Sequence, residues 1–129
     1  ETVGRELAER GAMLVCGGLG GVMEAACRGA KEAGGTTVGV LPGNDRLDAN
    51  AFVDIAIPTG LGQGRNVILV RAGDALLAVG GGHGTLSEIA LALRLGKRVV
   101  GLGTWDIEGV LAVDSPRAAV EAVLAKPTT

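Results

Sequence analysis

The hydrophobic positions of this chain fall into short continuous runs that alternate with helix-like stretches. Five runs are predominantly apolar and do not alternate with polar residues, which is typical of strands buried on both faces of a parallel sheet. They cover residues 12–16, 36–41, 53–57, 74–79 and 97–102. The stretches between them carry apolar residues at helical spacing, and Ser115-Pro116 forms an N-cap and N1 pair for a last helix to Ala125.

This alternation predicts an α/β protein: a Rossmann-like, doubly wound parallel sheet with helices on both faces, in one domain over residues 1–129. A doubly wound sheet begins with a strand, whereas this pattern opens in a helix over residues 2–10. We therefore expect the first strand to be absent from this chain. The polar stretch 43–50 is predicted to be a mobile loop.

Composition excludes several classes of function. The net charge is −2 with no basic run, and Phe and Trp occur once each, so nucleic-acid binding is not expected. No apolar stretch approaches the roughly 18 residues of a membrane span, so a membrane partner is not expected either. Cys16 and Cys27 are not in a CxxC pair and indicate reduced core residues of a cytoplasmic protein.

Two glycine loops follow predicted strands and open predicted helices. The clearer one is Gly80–Thr85, where the glycines allow close approach of a ligand and the helix offers unpaired N–H groups and a positive dipole end. We therefore predict a phosphate-bearing ligand. The candidate binding residues in these loops are Gly18, Gly20, Gly81, Gly82, His83, Gly84 and Thr85.

The standard fingerprints fail when they are applied literally. The first loop does not read GxGxxG, no GxxxxGK[ST] is present, and no acidic residue ends the strand after that loop to bind a ribose. An NAD enzyme and a P-loop ATPase are therefore disfavoured. No histidine and cysteine cluster has metal-ligand spacing, so no metal is expected, and His83 is interpreted as a residue near the ligand or facing solvent.

Thr85 and Glu88 allow two interpretations. Thr85-Leu86-Ser87-Glu88 is a capping-box pattern in which Glu88 would only stabilise the helix. Alternatively, the Thr85 hydroxyl contacts phosphate and Glu88 faces the adjacent sugar as a base or charge stabiliser.

Arg65 is the second candidate for a role in chemistry. It follows a glycine-rich turn at a predicted helix start, where a cation is unfavourable unless an anion is also bound. The alternative is a solvated surface arginine. Asn66 beside it is a candidate hydrogen-bonding partner for the same ligand.

The segment Gly81–Glu88 matches the signature GGxGTxxE, and the chain from about Cys16 to Leu102 resembles the family long labelled "lysine decarboxylase-like". That family includes the LONELY GUY phosphoribohydrolases, which activate cytokinins, and the molybdenum cofactor carrier proteins. The resemblance implies a Rossmann-like homodimer. In the hydrolases, an arginine and a glutamate assist cleavage of the glycosidic bond. By motif position, the resemblance implies that Arg65 and Glu88 would have these roles in this chain, and that the glycines and Thr85 would hold phosphate.

Departures from the hydrolase pattern favour one branch of this family. The hydrolases read PGGxGTxEE, whereas this chain has Gly80 and Ser87 at the Pro and first Glu positions. The Arg65-Asn66 segment resembles the molybdenum cofactor carrier branch. The expected function is therefore binding of a phosphorylated nucleotide-like or pterin-like ligand. The bound molecule would be a nucleotide, phosphate or molybdenum cofactor, and no cofactor is required.

The alternative function is an enzyme that cleaves the N-glycosidic bond of a nucleoside 5'-monophosphate. The old decarboxylase label has no support, because no lysine lies in a pyridoxal-phosphate context.

A homodimer or higher homo-oligomer is predicted from the helix after the signature loop. One apolar stripe of this helix would cover the sheet: Leu86, Ile89, Ala90 and Leu93. Further apolar residues occupy much of the remaining circumference: Leu91, Ala92 and Leu95. A helix that is apolar nearly all round is expected to be buried on more than one side.

Overall fold

The computed structural model describes residues 1–125 of the chain. The elements in chain order are α1 (Thr2–Glu9), β1 (Leu14–Cys16), α2 (Val22–Glu32), β2 (Thr37–Leu41), a 3₁₀ turn (Arg46–Asp48), β3 (Ile55–Pro58), a second 3₁₀ turn (Gly62–Gly64), α3 (Arg65–Ala72), β4 (Ala75–Val79), α4 (His83–Arg94), β5 (Arg98–Leu102), β6 (Val110–Val113) and α5 (Pro116–Leu124). The strands alternate with helices over most of this length, as the hydrophobic pattern predicts.

The chain divides into two compact units. The first unit is Glu1–Gly73 and the second begins at Asp74. Each carries one parallel three-stranded sheet flanked by helices. The single domain over residues 1–129 stays a prediction, and its last four positions, 126–129, lie outside the described residues.

The sheet of the first unit has the strand order β1-β2-β3, all parallel. Its central strand β2 is buried at every position, and Val40 and Leu41 are almost fully inaccessible to solvent. Helices α2 and α3 both pack against β1 and β2. The continuous apolar run 36–41 therefore marks a strand covered by its neighbours, which is the burial that such a run indicates.

Helices α1 and α2 approach each other backbone to backbone, because glycines face the contact. A Cβ on Gly4 would overlap the carbonyl oxygen of Ala26, and a Cβ on Gly29 would overlap that of Glu1. Both glycines are buried. No other residue type fits at this helix crossing without separating the two helices.

A buried hydroxyl joins β2 to the segment before β3. Thr37 is fully buried, and its Oγ1 donates to the carbonyl of Phe52 at 2.6 Å and accepts from the Asp54 N–H at 2.9 Å. The Asp54 carboxylate accepts from the Thr37 N–H and from Lys31 Nζ, both at 2.9 Å. These donors hold the pKa of Asp54 below its usual value, the backbone N–H of Thr37 contributing most.

The sheet of the second unit has the strand order β4-β5-β6, also parallel. Its core consists of residues that are at most 3 % exposed: Ala78, Ile89, Ala92, Val99, Val100, Ala119 and Val120. Strand β6 is missing from the five strands expected from the sequence. The expectation of five strands was wrong: Val110–Val113 is a short apolar run that pairs with β5 at four positions, although Leu111 and Ala112 are exposed.

The Rossmann-like α/β class predicted from the alternation is confirmed. The polar segment predicted as a mobile loop contains the 3₁₀ turn Arg46–Asp48, which Asp45 caps by accepting from the Leu47 N–H at 2.9 Å. Within residues 1–125, no helix is long and apolar enough to cross a bilayer. That same part of the chain holds no cluster of three histidine, cysteine or acidic side chains suited to a metal ion.

Candidate functional site

The first glycine loop joins β1 to α2 and is fixed by Asn50. Gly18 has a φ of 76°, a conformation that favours glycine, and its carbonyl accepts from the Asn50 N–H at 2.8 Å. Asn50 Nδ2 also donates to the carbonyl of Leu19 at 2.8 Å. The loop backbone is thus held by one side chain from the segment before β3. Asn50 was not expected from the sequence to hold this loop.

The two cysteines lie together below this loop. Their thiols form a hydrogen bond, with the sulfur atoms 3.5 Å apart and no disulfide, and Cys16 Sγ accepts from the Gly18 N–H at 3.4 Å. The hydrogen bond with Cys16, followed by burial, raises the pKa of the Cys27 thiol far above its usual value. Cys27 therefore stays a protonated core thiol, as expected of a buried cysteine in an apolar setting.

Arg65 is half-buried and hydrogen-bonded to the protein, so it is not a freely solvated surface arginine. It is the first residue of α3, and its Nη1 donates to the carbonyls of Gly17 at 2.9 Å and Val40 at 2.7 Å. These carbonyls lie at the carboxyl ends of β1 and β2, so the guanidinium bridges two neighbouring strand ends. Its Nη2 has no protein partner in residues 1–125 and offers two N–H donors.

Asn66 supports this arginine. The side chain is only 4 % exposed, and its Oδ1 accepts from Arg65 Nε at 3.0 Å. The geometry favours a positioning role for Asn66, whereas direct contact with a ligand stays a prediction. A Cβ on Gly17 would collide with the same guanidinium, so glycine is required there for Arg65 to reach the strand ends.

The second glycine loop joins β4 to α4, which begins earlier than the sequence suggests. The helix starts at His83, and Gly82 is its N-cap without any side-chain cap. The first backbone bond of the helix runs from the Leu86 N–H to the Gly82 carbonyl at 3.1 Å. The N–H groups of His83, Gly84 and Thr85 accordingly have no hydrogen-bond partner in the described chain.

The capping-box interpretation of Thr85 and Glu88 is wrong for this reason. Thr85 is the third residue of α4 rather than its N-cap, and Glu88 lies in the second turn, partly buried. Glycine at the N-cap allowed the helix to extend back over His83 and Gly84. The other interpretation, in which the Thr85 hydroxyl faces an anion at the start of the helix, stays a prediction.

Several loop glycines are not required by the fold. A Cβ would meet no atom within 4 Å, and φ is not positive, at Gly20, Gly81, Gly82 and Gly84. Gly18 and Gly80, by contrast, have φ values of 76° and 81° and serve the turns themselves. Where neither backbone conformation nor packing demands glycine, the empty volume is available to a molecule outside the chain.

Trp105 lies beside the second loop and was not predicted from the sequence. Its indole Nε1 donates to the Gly82 carbonyl at 3.2 Å, and its ring stacks on His83 with centroids 6.2 Å apart and planes at 21°. The sequence does contain a signal for it, because Trp105 is the only tryptophan and lies three residues after the strand run 97–102. In a parallel sheet, loops after neighbouring strands share one edge, and β5 neighbours β4.

The second unit therefore presents unpaired N–H groups at the positive end of a twelve-residue helix. The Thr85 hydroxyl and the Trp105 ring lie beside the same glycine loop. This arrangement can hold an anion and does not by itself provide chemistry. The parallel sheets and glycine loops define the class as a Rossmann-like α/β protein with an anion-binding type of loop. The chain belongs to the SLOG cluster4 family, whose model matches residues 1–126.

Known relatives agree with this assignment. An uncharacterized protein of Archaeoglobus fulgidus is 52% identical over 119 residues, which cover 92% of this chain and 78% of that protein. The molybdenum cofactor binding protein from Rippkaea orientalis has a similar structure, with a TM-score of 0.88 and 41% identity over 93% of this chain and 80% of that one. The molybdenum cofactor carrier protein from Chlamydomonas reinhardtii matches with a TM-score of 0.83 and 42% identity, over 95% of this chain and 81% of that one.

The resemblance to the molybdenum cofactor carrier branch is thereby confirmed. The roles of individual residues stay predictions: Arg65 and Glu88 as catalytic groups, and Gly18, Gly20, Asn66 and the Gly81–Thr85 loop as binding groups.

Proposed function

We propose that this protein binds a phosphorylated, nucleotide-like or pterin-like ligand in the manner of a molybdenum cofactor carrier. The observation that carries the proposal is the set of glycines that the fold does not need. Gly81, Gly82 and Gly84 surround the start of α4, and the space beside each is open. A phosphate group placed there would accept from backbone N–H groups that have no protein partner.

The residues fit the phosphate end of such a ligand. The N–H groups of His83, Gly84 and Thr85 would donate to phosphate oxygens, and the Thr85 hydroxyl would add a further donor. Because Gly82 and Gly84 have no side chains, the backbone stays accessible to these oxygens. In a carrier, the molybdenum cofactor is cargo, so the chain needs to recognise it without reacting with it.

The relatives of known function support a carrier rather than a hydrolase. The two solved structures at 41% and 42% identity are a binding protein and a carrier protein by name. Hydrolysis of an N-glycosidic bond requires Glu88 to act on a sugar and Arg65 to orient the substrate. Arg65 uses most of its donors on the protein itself. We therefore keep hydrolysis only as the alternative to be tested.

Calorimetry with four probes tests the proposal: the molybdenum cofactor handled without oxygen, GMP, AMP and inorganic phosphate. We expect the phosphate-bearing probes to bind at one site, with the molybdenum cofactor tightest. Failure of every phosphate-bearing probe to bind would overturn the proposal. The wild type is also incubated with AMP and a cytokinin riboside monophosphate, and a carrier releases no free base. Turnover that disappears in Glu88→Gln would instead establish the hydrolase.

A homodimer is the second part of the proposal, and the exposed apolar surface of each unit supports it. In the first unit, Val67 and Ile68 of α3 are 41% and 38% exposed. In the second, Ala90 on α4 and Leu95, the residue that follows this helix, are exposed, whereas Ile89 and Ala92 are fully buried. The stripe predicted to cover the sheet was thus misplaced at Ala90, which faces away from the core. Exposed helix faces of this kind suit a two-fold contact.

Light scattering at micromolar concentration measures the oligomer directly. We expect about twice the 12.8 kDa mass of the chain. Replacing both Val67 and Ile68 with lysine is expected to lower the mass to that of one chain, since two buried charges per subunit oppose association. A single-chain mass for the wild type would contradict the dimer.

A cytoplasmic location is proposed on chemical grounds. The sulfur atoms of Cys16 and Cys27 lie within contact distance yet carry no disulfide, which suits a reducing compartment. Fractionation of the native host with an antibody to the protein tests it.

A further inference from the structure

Trp105 is the one large aromatic side chain of the second unit, in a chain that has a single Trp, a single Phe and no Tyr. Its side chain is fixed without being buried. The Nε1–H is satisfied by the Gly82 carbonyl at 3.2 Å, and the residue is 36% exposed. The polar atom of the indole is therefore engaged, and exposed ring surface is held next to the glycine loop.

The local packing sets this position. A Cβ on Gly101 would lie 2.6 Å from Cγ2 of Thr104, so the glycine in β5 makes room for the residue that precedes Trp105. His83 stacks on the indole from the first position of α4. The indole thus contacts Gly82 and His83, the two residues at which the helix begins.

We infer that Trp105 is the specificity-determining residue of the ligand site, and that a planar heterocycle stacks on its exposed indole surface while the attached phosphate lies at the Gly80–Thr85 loop. This inference rests on the proposed function, since it needs a phosphate at that loop. Fused planar heterocycles such as a pterin or a purine have the flat π-faces that stack on indole. A phosphorylated sugar without an aromatic base would gain no stacking energy from the indole.

The ligand class follows from this pairing of an aromatic surface with an anion-binding loop. An aliphatic phosphate would favour leucine or valine at position 105, and a phosphate alone would favour a polar residue. The indole N–H donates to the protein rather than to solvent, so the ring contributes its surface rather than a hydrogen bond. Recognition by stacking also tolerates different fused rings, which suits a nucleotide-like or pterin-like ligand.

A matched pair of probes isolates the heterocycle: GMP and ribose 5-phosphate carry the same phosphorylated sugar and differ in the base. For the wild type we expect GMP to bind about ten- to a hundredfold more tightly than ribose 5-phosphate, the range that base stacking on an aromatic side chain typically supplies. Because Trp105 is the only tryptophan, GMP is also expected to quench the intrinsic fluorescence, and ribose 5-phosphate is not.

Three variants complete the test. W105A is expected to lose the preference for GMP while retaining its affinity for ribose 5-phosphate. W105F keeps a ring but lacks the N–H that Gly82 accepts, and it is expected to retain most of the preference. Leu111→Ala removes an exposed apolar side chain of the same unit and is expected to behave as wild type. Thermal melting of each variant checks that it is folded.

The outcomes separate this inference from the proposed function. Equal affinity of the wild type for GMP and ribose 5-phosphate, or an unchanged GMP preference in W105A, would overturn the stacking role while the phosphate site stands. Absence of binding by GMP, ribose 5-phosphate and inorganic phosphate alike would overturn both. Should W105A fail to fold, the loss or retention of the GMP preference in W105L decides the role of the ring.

Discussion

Gly4→Ala is expected to destabilise the protein by about 1–3 kcal/mol or more, although alanine is the better helix former. The new methyl group would overlap the carbonyl oxygen of Ala26 on α2, and backbone atoms cannot rotate away as a side chain can. Two effects of opposite sign compete. Helix propensity favours alanine by about 1 kcal/mol, whereas overpacking of a tight crossing costs more than this. The overlap is expected to prevail.

Urea denaturation followed by circular dichroism measures the change in the free energy of unfolding. Gly29→Ala is expected to act in the same direction, because its Cβ would overlap the carbonyl oxygen of Glu1. Gly84→Ala is the matched control: it is also a helical glycine, but its Cβ enters open space, so we expect no loss of stability. Equal stability of Gly4→Ala and the wild type would contradict the close crossing of α1 and α2.

Gly84→Val is expected to weaken binding of the phosphate ligand by at least about a hundredfold and to leave folding stability unchanged. The branched side chain would occupy the space that phosphate oxygens need, so at least two charge-assisted hydrogen bonds, worth about 1.5–3 kcal/mol each, would be lost. Nothing within 4 Å of the Cβ position opposes the substitution in the protein itself. Gly82→Val is expected to give the same result.

Calorimetry with the tightest of the phosphate probes measures this loss, and thermal melting verifies the fold. Ala90→Val is the control, because it adds a similar volume at an exposed position farther along the same helix. An affinity that is unchanged in both loop variants would place the phosphate elsewhere. A large drop in melting temperature would instead show that the loop glycines serve the fold.

The pattern of apolar runs predicted most of the elements because each buried strand lies between glycine or proline residues. The prediction missed β6, although Val110–Val113 is an apolar run that follows Gly109; the run is only four residues long, and its exposed Leu111 and Ala112 do not have the burial that such a run indicates. It also began α4 too late. Hydrophobic periodicity starts at Leu86, but the helical backbone extends over His83 and Gly84, which contribute no apolar side chain.

The candidate site was only partly predictable for a related reason. The glycine loops were found because their chemistry is local in sequence. Arg65 was found by its position at a predicted helix start. Its role as a bridge between strand ends could not be predicted, because its partners Gly17 and Val40 are 48 and 25 residues away in the sequence. Asn50 and Trp105 reach the loops only through the order of strands in each sheet. That order is a property of the tertiary fold and not of any short segment.

The carbonyl oxygens of both glycine loops accept hydrogen bonds from donors within the chain. Around the first loop, the carbonyl oxygens of Gly17, Gly18 and Leu19 all accept from Arg65 or Asn50. In the second, the carbonyl of Gly82 accepts from both Trp105 and Leu86. Metal cations bind proteins through such oxygens, whereas these point toward donors within the chain. We therefore expect both loops to disfavour metal cations, because the carbonyl oxygens of the first loop are engaged by Arg65 and Asn50 and that of Gly82 by Trp105 and Leu86.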